Sequence, residues 1–268
     1  QRQMCIRDSI GKLPVVFISP YDGDLIAEGS DLRRKWMDGI LAQLDKNYLE
    51  EIQKYARLLE QRHAVLRNMH EHRLFDPDAI EVWDAQLIPC GNYIHEQRKA
   101  FLAEFIPVFK RFYQQIGQNA EEVDITYRSQ LSDGSFATLL QASAKKDALT
   151  QYTNVGVHKD DLLFTIKGHP VKKFGSQGQQ KSFIIALRLS QFDWLKQHKG
   201  QKPILLLDDI FDKLDNERVS RLIALVSADY FGQVLITATD PERMQALFSQ
   251  LPGETQLFQI KDQQAIAL

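Results

Sequence analysis

The sequence predicts an α/β protein in which a mostly helical region is inserted into a parallel or mixed sheet. Two observations carry this prediction. Helical periodicity dominates from residue 31 to about residue 117, whereas short aliphatic runs alternate with helical patterns after residue 160. Aliphatic strands separated by helices are typical of a parallel or mixed sheet. The predicted division is a candidate non-native leader at 1–9, a remnant strand region at 10–22, a helical lobe at 23–198 and a strand-rich C-terminal part at 199–268.

The N-terminal half predicts one short strand and two long helices. The strand covers 13–18, and the helices cover 31–68 and 78–117, each with apolar residues every three, four or seven positions. The polar turn between the helices suggests an antiparallel helical arm. Pro89 and Pro107 are expected to interrupt or bend the second helix, because proline has no amide hydrogen to donate.

The remaining elements are shorter. Ser135 is the expected N-cap of a helix over 135–147, because its hydroxyl oxygen can accept a bond from an amide of the first turn. Further helices are predicted at 181–198, 216–228 and 241–247, and strands at 122–131, 162–167, 204–207, 234–237 and 257–260.

Composition is that of an ordinary globular protein, with 44% hydrophobic and 25% charged residues. The longest aliphatic runs, such as 204–207, are far shorter than the roughly eighteen residues of a membrane span. The first ten residues hold charges and no apolar segment of the signal-peptide type. Cys5 and Cys90 are far apart and lack metal-type spacing, which favours a reducing compartment. We therefore expect a cytoplasmic protein with no membrane association.

The net charge of −2 argues against a chain that binds nucleic acid over its whole surface. A local basic groove remains compatible with it, because affinity follows phosphate contacts at one face. The alternative is that each basic cluster is a solvated helix or loop position. The candidate contributors are Arg33, Arg34 and Lys35, then Lys145 and Lys146, then Lys172 and Lys173.

Two segments near the C-terminus carry the chemistry. The small-residue turn at 174–182 opens an apolar helix, where a glycine and free helix amides can approach a phosphate. The aliphatic run at 203–209 ends in Asp208, which can reach Mg²⁺ through water, and Asp209, which can orient or deprotonate an attacking water. The alternative is that both acidic residues simply leave the strand for solvent. A P-loop is not found, because the pair Gly11-Lys12 is followed by leucine.

The order of three motifs resembles that of ABC-type ATPase heads. A signature-like turn comes first, the two carboxylates follow in the position of the Walker B motif, and a segment resembling the D-loop comes next. The signature-like residues are Ser176, Gln177, Gly178 and Gln179, and the D-loop-like residues are Asp212, Lys213, Leu214 and Asp215.

Three segments narrow the resemblance to the RecF family. Residues 20–38 are similar to the family's pattern of proline, acid, aliphatic pair, glycine, paired arginines, aromatic residue and final aspartate. Residues 156–162 resemble its Gly-Pro-His-Arg-Asp-Asp-Leu element, and 174–181 resemble its form of the signature. The resemblance extends over nearly all of residues 10–262.

The resemblance implies a two-lobed, SMC-like P-loop NTPase head of the ABC type that binds ATP and Mg²⁺. It implies ATP-dependent homodimers, weak ATP hydrolysis, binding to gapped or single-strand/double-strand junction DNA, and recombinase loading with RecR and RecO. Asp208 would serve the metal, Asp209 would replace the more common glutamate, and Thr239 would take the place of a switch histidine. The signature residues would reach the partner's nucleotide, and Asp215 would cross the dimer interface.

The chain also departs from the family's pattern. The N-terminal strands and the P-loop (Walker A) are missing, so we expect this chain alone to be inactive as an ATPase. Val157 stands in place of a proline, and Gly175 in place of a leucine. Two alternatives stay open: another SMC-like ABC ATPase head, although both helical stretches are short for an SMC arm, and a non-catalytic DNA or protein interaction module. His158 is expected to be a hydrogen-bonded structural histidine.

Overall fold

The computed structural model describes residues 13–73, 75–117, 121–211, 214–227, 230–248, 255–261 and 264–267. The described chain is a mixture of helices and short strands. The helices are α1 (Asp24–Ala27), α2 (Ser30–Leu44), α3 (Lys46–Glu71), α4 (Pro77–Ile116), α5 (Phe136–Thr150), α6 (Val171–Phe174), α7 (Gln177–Lys199), α8 (Asn216–Val226) and α9 (Pro241–Phe248). The strands are β1 (Val15–Ile18), β2 (Val123–Arg128), β3 (Asp161–Ile166), β4 (His169–Pro170), β5 (Ile204–Asp208), β6 (Val234–Thr237), β7 (Phe258–Lys261) and β8 (Gln264–Ala267).

The described residues form two compact units. The first comprises Asp24–Val108 and Val123–Phe174, and the second falls within Lys12–Gly23, Phe109–Glu122 and Gly175–Leu268. Helix α7 therefore groups with the strands, whereas the sequence placed it in the helical lobe. The predicted lobe boundaries stay a prediction. Within the part of the chain that is described, no helix is both long and apolar enough to cross a membrane.

The first unit packs α2, α3 and α5 with an antiparallel sheet. Its strand order is β2-β3-β4, and Val123 pairs with Ile166 while Arg128 pairs with Asp161. Helix α2 contacts both α3 and β3, and α3 contacts α5. The side chains at the centre of this core are at most 2% exposed and include Met37, Ile40, Tyr48, Leu66, Ile94, Phe105, Ile125 and Phe136.

The helix predicted over 31–68 is two helices. Asp45 lies between them with an extended backbone (φ −116°, ψ 110°), so the helical hydrogen-bond ladder stops there. Its carboxylate accepts a bond from the amide of Asn47 at 2.8 Å and so caps α3. The apolar periodicity runs across this break, which is why the sequence pattern did not show it.

The second long helix is continuous through Pro89 and Pro107, so the predicted interruption is wrong, while the bend given as its alternative stays a prediction. A proline inside a helix costs about 3 kcal/mol, because one hydrogen bond is lost and the ring clashes with the carbonyl of the preceding turn. Burial on both sides of Pro89 offsets this cost, since Leu87, Cys90 and Ile94 are at most 1% exposed.

The second unit is built on a parallel sheet of order β1-β5-β6. Ile18 pairs with Leu207 of β5, which in turn pairs with Ile236 of β6. Helix α7 contacts β1, and its side chains are buried along most of its length. It begins at Gln177, four residues before the predicted start, and ends at Lys199, followed by Gly200 as C-cap, whose φ of +68° suits glycine. The hairpin of β7 and β8 is separate, and β8 has no predicted counterpart.

Candidate functional site

The two carboxylates follow from the way β5 ends. Asp208 is the last residue of β5 and is in register with Thr237, the last residue of β6. The hydroxyl of Thr237 donates to Oδ1 of Asp208 over 2.6 Å. Because β5 and β6 are parallel, both residues lie at the carboxyl edge of the sheet, where open α/β sheets bind their ligands.

Asp209 is held by its backbone. Its φ is +45°, a left-handed conformation that residues other than glycine adopt at a cost of about 1–3 kcal/mol. Its amide donates to the carbonyl oxygen of Thr237 at 3.2 Å and to the Thr237 hydroxyl at 3.3 Å. The ammonium group of Lys181 on α7 donates to its carbonyl oxygen at 3.4 Å. These contacts from β6 and α7 compensate for the unfavourable conformation.

The signature-like turn forms a complete capping box. The hydroxyl oxygen of Ser176 accepts from the amide of Gln179 at 3.2 Å, and the side-chain oxygen of Gln179 accepts from the amide of Ser176 at 2.8 Å. The first-turn amides of Gln177 and Gly178 have no intrahelical acceptor, because no carbonyl precedes them in the helix. These two amides and the Ser176 hydroxyl hydrogen can still donate to an anion.

The D-loop-like segment leads into α8. Leu214 is 7% exposed, and the carboxylate of Asp215 caps α8 by accepting from the amide of Arg218 at 2.8 Å. Lys213 and its neighbour Asp212 lie outside the described residues. Thr239 is exposed two residues beyond the end of β6. All the described site residues from Ser176 to Thr239 belong to the second unit.

The residues at the carboxyl edge of the sheet fit a Mg²⁺ ion that is held mainly by phosphate oxygens of a bound nucleotide and by waters. Among the described residues no group of three or more histidine, cysteine or acidic side chains could hold a metal. Mg²⁺ is commonly bound through one or two carboxylates together with phosphate oxygens and waters. Asp208, oriented by Thr237, offers a carboxylate of this kind.

The four basic side chains named as DNA contacts differ in their surroundings. The guanidinium of Arg33 makes two bonds to the carboxylate of Asp161, at 2.7 and 3.2 Å, and Arg34 donates to the carbonyl oxygen of Asp160 at 2.6 Å. Their side chains are 11% and 15% exposed. Lys145 and Lys146 are exposed on α5. The paired arginines thus bind the 156–162 segment, and a DNA contact by any of the four stays a prediction.

A buried arginine completes the link between the two family-like segments. Arg98 of α4 is 1% exposed and donates to Asp38 at 3.0 Å and to Asp160 at 2.8 Å. The phenol of Tyr127 also donates to Asp160. Burial raises the pKa of Asp160, and the charge of Arg98 opposes that change. The final aspartate of the 20–38 pattern and the first aspartate of the 156–162 pattern are therefore bound to one cation.

His158 has a structural environment. Its Nε2 lies 2.9 Å from the carbonyl oxygen of Thr153, and its Nδ1 lies 2.9 Å from the hydroxyl of Tyr55. Burial lowers the pKa of His158 to about 4. The nearby Gly156 has φ +126°, and a β-carbon there would lie 2.5 Å from the Tyr55 hydroxyl. The histidine is neutral and hydrogen-bonded on both sides, as expected.

Sequence reasoning missed four side chains around the site. Thr237 could have been found as the polar residue that ends the strand next to β5. Lys181, Glu121 and Arg218 gave no signal, since their partners are distant in the chain. Glu121 accepts from Gln179 of the signature-like turn at 2.8 Å and from Arg218 of α8 at 3.4 Å.

The architecture defines the class of protein. A parallel sheet that ends in two carboxylates, a capped signature-like turn on the helix beside it and an accompanying helical unit together define the fold of an ABC-type ATPase head. Two solved structures of the recombination mediator RecF of the RecFOR pathway share the fold. The one with ATP has a TM-score of 0.80 and 26% identity, over 97% of this chain and 68% of that one. The one with ATPrS has the same TM-score and 24% identity, over 98% and 70%.

Relatives identify the family. The DNA replication and repair protein RecF of Flavobacterium johnsoniae is 49% identical over 240 residues, which are 90% of this chain and 67% of that protein. The RecF of Phocaeicola vulgatus is 41% identical over 258 residues, 96% of this chain and 69% of that protein. No protein-family model matches the chain. The chain belongs to the RecF family of DNA replication and repair proteins.

Proposed function

We propose that this chain acts in DNA repair as an ATP-dependent, DNA-binding ATPase of the RecF type. The single observation that carries the ATPase part is the pair Asp208–Asp209 at the carboxyl edge of the parallel sheet, with Thr237 bonded to both residues. ATP as the nucleotide is supported by the ATP-bound RecF structure that this chain resembles.

Each carboxylate has a separate task in this proposal. Asp208 would hold Mg²⁺ through water, and Mg²⁺ when bound would neutralise charge on the phosphate oxygens. Asp209 would orient or deprotonate the attacking water beside the γ-phosphate. Aspartate is one methylene shorter than glutamate, so its carboxylate reaches less far toward that water. This difference is consistent with slow turnover.

The signature turn would act on the nucleotide of a second copy in an ATP-dependent homodimer. Ser176 and the first-turn amides of Gln177 and Gly178 are the donors for its phosphates. Gln179 would hold the turn in shape, and Lys213, Leu214 and Asp215 would form the D-loop at the dimer interface. Thr239 at the switch position has no imidazole, so it cannot assist hydrolysis as a histidine would.

DNA and protein partners follow from the family. The relatives are DNA replication and repair proteins, and the solved RecF structures are attributed to the RecFOR pathway. We therefore propose binding to gaps and single-strand/double-strand junctions, and recombinase loading with RecR- and RecO-like proteins. The exposed Lys145 and Lys146 are better placed for phosphate contacts than the engaged Arg33 and Arg34.

The test substitutes Asp209→Asn in the protein expressed from its complete reading frame. We expect ATP-dependent dimers to persist while ATP hydrolysis falls at least about a hundredfold, as is typical for loss of a general base. Glu217→Gln, an exposed acid on α8 that pairs with Arg221, is the control and should leave both properties unchanged.

Two results would contradict the proposal. Unchanged turnover in the Asp209→Asn protein would remove the role assigned to this carboxylate. A complete reading frame that encodes no P-loop and yields a protein without ATP binding would instead support a non-catalytic interaction module.

A further inference from the structure

Glu121 occupies a position between the two elements proposed to act across the dimer interface. Its carboxylate is 12% exposed and accepts from the side-chain amide of Gln179 at 2.8 Å and from the phenol of Tyr113 at 2.6 Å. Arg218 donates to the same carboxylate oxygen as Gln179, at 3.4 Å. One carboxylate thus joins the first turn of α7 to the first turn of α8.

Arg218 extends the connection on the α8 side. Its Nη1 donates to the hydroxyl of Ser182 on α7 at 3.3 Å, and its Nε lies 3.4 Å from the carboxylate of Asp215. Asp215 in turn caps α8 through the amide of Arg218. The guanidinium therefore contacts Glu121, α7 and the D-loop aspartate together, which its planar fork of donors makes possible.

We infer that Glu121 and Arg218 are positioning residues that connect the signature turn to the start of α8, so that the two turns keep a fixed geometry. Neither residue needs to touch the nucleotide. The signature turn is held through Gln179, whose other side-chain atom closes the capping box with Ser176. The D-loop is held through Asp215. When a partner's nucleotide binds the signature turn, the same contacts hold Asp215, the last residue of the D-loop-like segment, in place.

The energetic argument rests on partial burial. Charge-assisted hydrogen bonds in sites shielded from water are about twice as strong as neutral ones, and removing one partner leaves the others unsatisfied. Deleting the Glu121 carboxylate would leave the Gln179 amide and the Tyr113 phenol without the acceptor they have now, and Arg218 would keep only Ser182 and Asp215. An exposed pair such as Glu217 with Arg221, one turn further along α8, carries no comparable cost.

The first experiment needs no nucleotide and uses hydrogen exchange in the protein expressed from its complete reading frame. Four first-turn amides report the two turns: Gln179 and Gln180 donate to Ser176, and Arg218 and Val219 donate to Asp215. We expect Glu121→Ala to speed exchange about tenfold at both pairs of amides. The matched control Glu217→Ala deletes the same atoms from an exposed site and should leave the α7 pair unchanged. Acceleration confined to one of the two turns would overturn the inference.

A second variant guards against a general loss of structure. Arg218→Lys keeps the charge and can satisfy Glu121, but a single ammonium cannot contact Glu121, Ser182 and Asp215 in the same geometry. It should reproduce the paired acceleration at unchanged thermal stability. If exchange at all four amides is the same in Arg218→Lys as in the wild type, the Arg218 guanidinium does not join the two turns.

The functional part rests on the proposed function and is measured separately. In the protein from the complete reading frame, Glu121→Ala should raise the concentration needed for half-maximal ATP-dependent dimerisation about tenfold, with nucleotide affinity of the monomer unchanged. If Glu121→Ala speeds exchange at both turns but leaves ATP-dependent dimerisation unchanged, Glu121 has no role in dimerisation. If the wild type forms no ATP-dependent dimer, the proposed function fails. The exchange experiment still decides whether Glu121 and Arg218 join the two turns.

Discussion

Asp208 and Asp209 are neighbours in the chain, yet the fold holds them by different groups. Asp208 is oriented through its carboxylate, which accepts from Thr237, whereas Asp209 is held through its amide and carbonyl. The left-handed backbone of Asp209 turns the chain sharply after β5. In the proposed function, its carboxylate is the group that orients the attacking water.

Thr237→Val tests the orientation of Asp208 while keeping the shape of the side chain. Loss of a hydrogen bond to a charged group is worth about 1.5–3 kcal/mol, so ATP turnover should fall at least about tenfold. The effect is measured in the protein from the complete reading frame. Ser220→Ala, which removes an exposed hydroxyl from α8, is the control. Equal turnover in wild type and Thr237→Val would show that Asp208 needs no such orientation.

His158 predicts a pH dependence of stability. Its pKa is about 4 in the folded chain and 6.5 in the unfolded reference, so the unfolded state binds the proton more tightly. Its contribution is complete above pH 6.5 and is lost as the pH falls toward 4, by up to about 3 kcal/mol. Urea unfolding from pH 7 to 4.5 should show a shallower fall for His158→Gln than for wild type. The exposed His72→Gln should retain the wild-type slope.

At the scale of elements, the close approach of α4 and α5 depends on Gly91 of α4, because any larger residue there would meet Phe136 of α5. The ring of Phe136 at the start of α5 is 1% exposed. A β-carbon on Gly91 of α4 would lie 2.4 Å from that ring. The glycine therefore weakens α4 locally and allows the aromatic ring to pack.

Gly91→Ala should destabilise the chain by about 1–3 kcal/mol, because overpacking outweighs the gain in helix propensity of up to about 1 kcal/mol. Gly39→Ala on α2 is the matched control, since nothing lies within 4 Å of its added β-carbon. That control should be neutral or stabilising by up to about 1 kcal/mol. Denaturant unfolding of both proteins measures the difference, and a stabilised Gly91→Ala protein would contradict the packing argument.

At the scale of the whole molecule, buried ion pairs join segments that are far apart in the chain. Arg62 of α3 is fully buried and donates to Asp84 at 2.6 Å, to Asp147 at 2.7 Å and to Thr153 at 2.9 Å. Asp147 is fully buried as well. Arg62 and Arg98 together connect α3, α4, α5 and the 153–161 region within the first unit through buried hydrogen bonds.

Arg62→Met should cost about 3–5 kcal/mol, because it leaves Asp147 buried without its cation. Arg57→Met changes an exposed arginine of the same helix and should stay within about 0.5 kcal/mol of wild type. Chemical denaturation compares the two. The double change Arg62→Met with Asp147→Asn removes the unpaired charge and keeps an acceptor for the Asn154 amide, so it should recover part of the loss. Failure to do so would show that the uncompensated charge is not the cause.

Element types were predictable because period and turn chemistry are local properties. The Ser135 cap of α5 and the strand Val234–Thr237 are confirmed by the structure. The break at Asp45 and the continuity of α4 through two prolines were not predicted, because both depend on contacts made outside the helix concerned. The same holds at the site, where the carboxylates and the signature turn were found by motif, but Glu121 and Arg218 were not.

The sequence by itself determined the α/β class and the order of the motifs, since both depend on the spacing of residues along one chain, and its resemblance to known motifs indicated the RecF family. Only the tertiary structure decided what those residues contact. It bound the paired arginines to Asp160 and Asp161, held Asp209 in a left-handed conformation through Thr237 and Lys181, and placed Glu121 between the signature and D-loop turns. The reason is physical: motif spacing is local information, whereas hydrogen bonding and burial depend on segments that only folding brings together.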